Sequence, residues 1–257
     1  MSKKERLNFQ LKQDEVKLHK ELAKKYADIR EKSPYYMFFN EHWIKLFLSM
    51  LPHRKFSNAL DLGCGTVEFY EMITKNLHAA YTGTDLSPDM LAVGRKKYKG
   101  IKLIEADAEN LPFGDNTFDA IITRGLIHHL PNPQNGIGEA YRMIKIGGYF
   151  LVSEPHSNIF LYYARKLFYK KSSHFSDSHK SFRRGEFIEL VKNGGFKVKK
   201  IRYWGILSFF FAFPDILPSY KYLPLPIFKL FVHADKLLSK IPLINSFACH
   251  MVVLAQK

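Results

Sequence analysis

Apolar positions along this chain follow two rhythms. From residue 9 to 32, Leu11, Leu18, Leu22 and Ile29 recur near helical spacing among lysines and glutamates, which predicts a charged helix that Ser33-Pro34 should stop. Residues 38–50 predict a second helix, with Phe38, Phe39, Trp43, Phe47 and Leu51 on one side. These helices either cover a ligand site or pack on a sheet edge, and packing is the default for any single aromatic. Beyond them, short apolar runs at 57–62, 79–83, 101–105, 119–123 and 149–153 read as strands. Helical patterns at 66–76, 87–97 and 134–145 separate them, and Gly147-Gly148 should end the last helix. The 119–123 run is apolar on both faces, as in a strand covered on both sides. This alternation predicts an α/β fold, a doubly wound and mostly parallel sheet.

The chemistry gathers at the ends of the predicted strands. Between Asn58 and Phe69, a short apolar run reaches Asp61, and Gly63 and Gly65 follow at alternate positions. Glycines there permit a sharp turn and a close backbone approach to a ligand. Glu68 stands where a G-x-G-x-x-G dinucleotide fingerprint needs a third glycine, and no Gly-Lys-Ser/Thr of a P-loop is present. A carboxylate beside the loop repels a pyrophosphate and suits a cationic or zwitterionic ligand. Asp85 lies 24 positions after Asp61, where doubly wound folds place the acid that accepts from ribose hydroxyls. Ser87-Pro88 caps the helix that follows. Asp107 ends the third strand region, where it serves either as acceptor for an adenine amino group, with Ala108 supplying a backbone N–H, or as a turn cap.

Six segments in order complete the pattern: L-D-L-G-C-G-T at 60–66, T-G-T-D-L-S at 82–87, E-A-D-A-E-N-L-P-F at 105–113, F-D-A-I-I at 118–122, I-H-H-L at 127–130 and R-M-I-K-I-G-G at 142–148. Over residues 57–155 the chain resembles a class I S-adenosylmethionine-dependent methyltransferase of the type 11 group, the broad subgroup that includes the quinone-biosynthesis C-methyltransferases. The resemblance implies a seven-stranded Rossmann-like sheet with an antiparallel last strand, for which 196–203 and 247–255 are candidates. It implies S-adenosyl-L-methionine as cofactor. Asp61, Gly63, Cys64 and Gly65 would hold its methionine end, Asp85 the ribose, Leu86 the adenine face, and Asp107 with Ala108 the adenine edge. Arg124 would line the pocket near the methionyl carboxylate. Two positions depart from the family pattern, Val67 for glycine and Ile146 for proline. Val67 fits if it is already helical; otherwise it adds bulk beside the cofactor, weakening binding or abolishing catalysis.

Implied boundaries are an N-terminal helical extension at 1–56, the cofactor-binding core at 57–155, a cap containing strand six at 156–245 and a final core strand at 246–257. The formal charge is +15 over 257 residues, of which residues 156–257 carry +12. That field suits anionic lipid, nucleic acid or acidic substrates, and equally a solvated face. The cap is also apolar: 157–170 and 227–241 read as amphipathic helices, the latter with Ile227, Leu230, Phe231, Ala234, Leu237, Leu238 and Ile241 on one side. An aromatic run at 203–213 is too short to span a bilayer. Two cysteines, Cys64 and Cys249, argue against a disulfide framework, and the charged N-terminus lacks a signal-peptide pattern, so the expected setting is cytoplasmic.

The acceptor is therefore expected to be a small, apolar or lipid-like molecule, with peripheral contact to an anionic membrane open. The alternatives are a nucleic-acid methyltransferase and a non-catalytic relative that binds a partner through its cap. Neither an Asn-Pro-Pro-aromatic nor a Pro-Cys motif supports nucleic acid. Candidates for a general base are His128, His129, Glu154 and His156, which follow strands four and five and so border the crevice. Each histidine has an alternative as a structural hydrogen-bonding group. His174 and His179 make a weak case for a metal pair, and no metal is assigned.

Overall fold

The computed structural model describes residues 2–158, 160–163, 181–214 and 218–257. The predicted helix at 157–170 falls largely outside the described residues, and His174 and His179 lie wholly outside them.

Two helices come first. Helix α1 spans Lys3–Lys32 and starts earlier than the apolar rhythm suggests, because Ser2 and Glu5 form a reciprocal capping box. Ser33 ends α1 and also caps α2 (Pro34–Leu48), its side chain accepting from the Tyr36 N–H with Pro34 in the first turn. The alternating core then runs β1 (Asn58–Leu62), α3 (Tyr70–Leu77), β2 (Ala80–Asp85), α4 (Pro88–Lys97), β3 (Leu103–Glu105), β4 (Phe118–Arg124), α5 (Pro133–Met143) and β5 (Ile144–Pro155). After it come α6 (Arg184–Asn193), β6 (Lys197–Trp204), one helical turn at Phe209–Ala212, α7 (Leu225–Leu238) and β7 (His250–Gln256).

The seven strands form one sheet in the order β3-β2-β1-β4-β5-β7-β6. Strands β1 to β5 are parallel, and β7 pairs antiparallel with both β5 and β6. Side chains alternate across the pleat. Leu60, Leu62, Ile121, Phe150 and Val152 join Ile137 and Met143 of α5 and Phe187 and Val191 of α6 on one face. On the other face Ala59, Ala120, Ile122, Leu151 and Val252 meet Phe39, Trp43 and Phe47 of α2, Ile73 of α3, and Phe228 and Val232 of α7. The order reverses between β1 and β4, so their carboxyl ends open a crevice.

Three local expectations give way. Helix α3 begins at Tyr70 rather than Thr66, because Val67 is not helical: it sits at φ +57°. The left-handed region costs a non-glycine residue about 1–2 kcal/mol. Val67 is nevertheless fully buried against Cys64, Leu91 and Leu103, worth roughly 1.5–3 kcal/mol, so packing offsets the strain. Its bulk is directed into that cluster and does not line the crevice. Gly147 and Gly148 lie inside β5 instead of ending α5, which stops at Met143; Gly147 takes φ +75° and leaves Ile146 at 87% exposure on the bend.

Helix α7 is amphipathic as expected, and the structure shows which side turns inward. Its buried residues are Phe228, Val232 and Asp235, not the longer apolar stripe. Asp235 is the reason: its carboxylate accepts the Leu207 and Ser208 N–H groups at 2.8 and 3.1 Å and the Ser208 hydroxyl, which turns this face inward. Burial pushes its carboxyl above the usual range, against those hydrogen bonds.

The Val67 pocket exists because α4 has Gly94 beneath it. A Cβ there would lie 2.7 Å from Val67 Cγ2. Gly94→Ala is therefore expected to lower stability by about 1–3 kcal/mol despite alanine's better helix propensity, and to become neutral or stabilising in a Val67→Ala background. Urea unfolding of the double-mutant cycle measures this; equal effects in both backgrounds would contradict the packing.

Candidate active site

The crevice is a cavity of about 620 Å³ at the carboxyl ends of the parallel strands. Asp61, Gly63, Cys64, Gly65, Asp85, Leu86, Asp107, Ala108, Arg124, His128 and His129 all line it. Glu154 and His156 do not.

Gly63 and Gly65 hold φ of +73° and +53°, which favours glycine at both. A Cβ on Gly63 would press on Leu126 at 3.0 Å, whereas none of the described residues lies within 4 Å of one on Gly65. The space over Gly65 is thus open to a ligand. The loop is fixed from below: the Gly63 and Cys64 N–H groups donate to the Thr84 carbonyl, and the Gly65 N–H donates to Asp85 Oδ2 at 2.9 Å. Asp85 Oδ1 takes the Ser87 N–H, also at 2.9 Å. The Thr84 hydroxyl is buried at the cavity wall without a hydrogen-bond partner among the described residues.

Asp61 is the most desolvated acid of the rim. Burial pushes it up to about 6, against the Tyr81 hydroxyl donating to its Oδ2 at 2.7 Å and the pull of Arg124; the charge of Asp85 adds to the rise. Burial also raises the Tyr81 phenol and the Cys64 thiol, which stays protonated at neutral pH. Arg124 donates to Asn40 Oδ1 at 2.8 Å and stacks 3.6 Å from the centroid of the Phe69 ring, with Trp43 at 4.8 Å. The Trp43 indole N–H is buried beside the cavity without a partner among the described residues.

Asp107 lines the cavity and makes the turn contact that was one of its two readings. Its Oδ1 accepts the Glu109 N–H in a turn, and its Oδ2 takes the Lys12 ammonium at 2.6 Å. Lys12 also reaches Glu109 at 2.8 Å. Burial alone would depress Lys12, but the two acids outweigh it and raise its pKa.

Lys12 belongs to α1, which therefore lies across the cavity. Glu15 and His19 follow it, and Glu15 lies 2.8 Å from His129 Nδ1. Burial and the neighbouring His128 hold His129 below the ordinary histidine value, with Glu15 opposing them.

His128 is buried, and its Nδ1–H donates to Glu154 Oε2 at 2.6 Å. Glu154 is fully buried and also accepts the N–H groups of Leu126, Ile127 and His128. Burial raises it to about 7 against these donors. Four donors favour its carboxylate, and the pair then leaves the imidazole lone pair on Nε2. His156 is turned away from the cavity: its Nδ1–H donates to the Ala248 carbonyl at 2.9 Å and its ring packs on Tyr203. That is the structural alternative noted for such histidines.

The opposite wall is apolar, formed by Phe39, Trp43, Phe69, Phe209, Phe210 and Phe213. Helices α1 and α2 thus line the site as well as pack. Sequence reasoning missed Lys12, Glu15, His19 and Tyr81. The first three recur at helical spacing as a polar stripe inside α1; Tyr81 stands two residues before Gly83, whose missing side chain leaves room for its hydroxyl. Among the described residues no cluster of His, Cys, Asp or Glu is placed to hold a metal.

Residues 60–152 match the family model described as a methyltransferase domain. Over 148 residues, 56% of this chain, it is 38% identical to the chloroplastic 2-methyl-6-phytyl-1,4-hydroquinone methyltransferase 2 of Oryza sativa subsp. japonica, covering 40% of that protein. It is 31% identical over 54% of its length to a demethylmenaquinone methyltransferase of Chlorobaculum tepidum, covering 64% of it. The chain thus matches less than two thirds of either relative. Its fold superposes on the geranyl diphosphate C-methyltransferase of Streptomyces coelicolor, solved with S-adenosyl-L-homocysteine, with a TM-score of 0.60 at 16% identity over 84% of this chain and 79% of that one.

A buried acid with its pKa raised to about 6 makes affinity for a cationic cofactor pH-dependent. Below about pH 6 Asp61 takes up a proton that S-adenosylmethionine must displace, so Kd should rise roughly tenfold per pH unit lost there and level off above pH 7. The same sign makes the ligand-free protein lose this group's contribution to stability as pH rises through 6. Isothermal titration should show proton release on binding near pH 5.5 in the wild type and none in Asp61→Asn; an unchanged slope in the variant would exclude Asp61.

Proposed function

We propose that this chain, whose core is a class I S-adenosylmethionine-dependent methyltransferase domain of the type 11, quinone-methyltransferase-like group, methylates a small hydroquinone-type acceptor bearing apolar substituents. The observation that carries this reading is a single cavity with an acidic rim, a buried His128–Glu154 pair and a wall of aromatic rings. The acceptor class draws support from relatives named for a phytyl hydroquinone and for demethylmenaquinone.

S-adenosylmethionine, when bound, supplies a methyl group on a sulfonium with a good leaving group attached. The residues present fit it: open space over Gly65, acids at 61, 85 and 107 for a cationic adenosyl ligand, and no basic side chain on the glycine loop. Asp61 and the loop would take the methionine end, Asp85 the ribose, and Asp107 with Ala108 the adenine edge. Arg124, already oriented by Asn40 and Phe69, supplies a cation for the carboxylate.

The protein's remaining tasks are orientation, exclusion of water and removal of a proton. A hydroquinone is a better carbon nucleophile once a hydroxyl is ionised, and ring methylation releases a further proton. His128 is the base: Glu154 fixes the Nδ1–H tautomer, so Nε2 receives the proton, and the carboxylate stabilises the resulting imidazolium. The phenyl rings of Phe209, Phe210 and Phe213 accommodate the apolar part of the acceptor and keep the site dry.

The test is transfer of labelled methyl from S-adenosylmethionine to a panel of hydroquinones. His128→Gln should lower kcat by roughly 10²–10³-fold while leaving cofactor Kd within a factor of two. An unchanged kcat would remove His128 from the reaction; label recovered only in nucleic acid would overturn the acceptor class.

A further inference from the structure

Helix α7 is amphipathic twice over. Phe228, Val232 and Asp235 bury one face on the sheet, yet Ile227, Leu230 and Leu237 stay 42%, 67% and 65% exposed on a second apolar face. With Phe231 and Leu238 these residues fall in an arc of about 120° at 3.6 residues per turn. The apolar surface continues past the helix, where Leu243 is 84% exposed and Phe247 46%. A surface of this kind on one side of a helix marks a contact with something apolar.

Charge identifies what. From Pro218 to Phe247 the sequence has four lysines, at 221, 229, 236 and 240, and one acid, Asp235, which is buried against Ser208. No acidic side chain in that stretch therefore reaches the surface. Lys229 and Lys236 lie between the buried face and the apolar arc and Lys240 just past the last turn, so all three add positive charge within about a Debye length of any surface the arc rests on. A protein partner of mixed charge gains nothing from such one-signed framing; an anionic surface with an apolar interior matches both parts.

The face also runs toward the cavity. The Phe231 ring lies 6.0 Å from that of Phe211, and the adjacent Phe210 is 42% exposed while lining the cavity wall. Among the described residues, no helix is long and apolar enough to cross a bilayer.

We propose that the outward face of α7, with Ile227, Leu230, Leu237 and Leu243 entering the lipid and Lys236 and Lys240 supplying positive charge above the headgroups, docks the chain on an anionic membrane surface. It lies in the plane of the interface and does not span it. The cavity wall at Phe210 then sits next to the bilayer, on the side from which an apolar acceptor would come. Docking itself does not depend on the identity of that acceptor.

Co-flotation with phosphatidylcholine vesicles, with and without phosphatidylglycerol, tests this without cofactor or acceptor present. The wild type should float with anionic vesicles at low salt, and binding should weaken as salt rises. Leu230→Glu/Leu237→Glu should lower the partition coefficient by roughly tenfold or more. Lys236→Gln/Lys240→Gln should reduce the salt dependence. Both variants change exposed side chains, so unfolding temperature and cofactor Kd should match the wild type. Three results would overturn the proposal: no flotation of the wild type, equal flotation of the Glu variant, or a wild-type dimer in solution that the Glu variant dissociates, which would make a second copy the occupant. Methyl transfer to a water-soluble hydroquinone, measured separately, reports on the active site alone, so a failure of docking and a failure of the assigned chemistry are distinguishable.

Discussion

Desolvation of carboxylates at the reversal point of the sheet is the constraint from which the site follows. Strands β1 and β4 are neighbours whose connections leave in opposite directions, so nothing from the core covers their carboxyl ends. Asp61, one residue before the end of β1, lies there in near-complete burial, with one phenol hydroxyl as its direct hydrogen-bond donor among the described residues. A carboxylate so placed is costly without a positive partner. Arg124 meets part of the need from β4. Under the proposed function a cationic ligand would meet the rest, so that binding and charge neutralisation would be the same event at Asp61.

Glu154 illustrates the opposite solution. It is more deeply buried than Asp61, but three backbone N–H groups and an imidazole converge on it. The short turn at Ile127–His129 exists in this geometry because its amides wrap that carboxylate. One acid therefore shapes the loop after β4 and orients the His128 ring, which ties the sheet's interior directly to the cavity at its rim.

What was legible in the sequence was the periodic part. Strand alternation, the Asp-Gly loop, Asp85 and Asp107 all sit within short segments whose spacing reports their geometry, and each lines the same cavity. What was not legible depended on partners far along the chain. Lys12 and Asp107 are 95 positions apart, and no local pattern connects them. Asp235 carried no signal in the sequence; two amides and a hydroxyl of residues 207–208 hold it inward and leave the apolar stripe facing out. Val67 took a conformation that sterics disfavour because Gly94 made space for it. His156 was adjacent to the right strand, yet the Ala248 carbonyl claims its ring.

The position of β7 has a consequence for how the molecule assembles. It fills the gap between β5, which ends at Pro155, and β6, and it begins only at His250. Until it arrives, β5 presents a bare hydrogen-bonding edge and β6 has no strand to pair with, however well the first five strands have formed. During synthesis the nascent chain must carry that open edge while the intervening residues are added. Pairing of β7 is thus the one event that covers both edges, and a sheet without it exposes two unpaired strands.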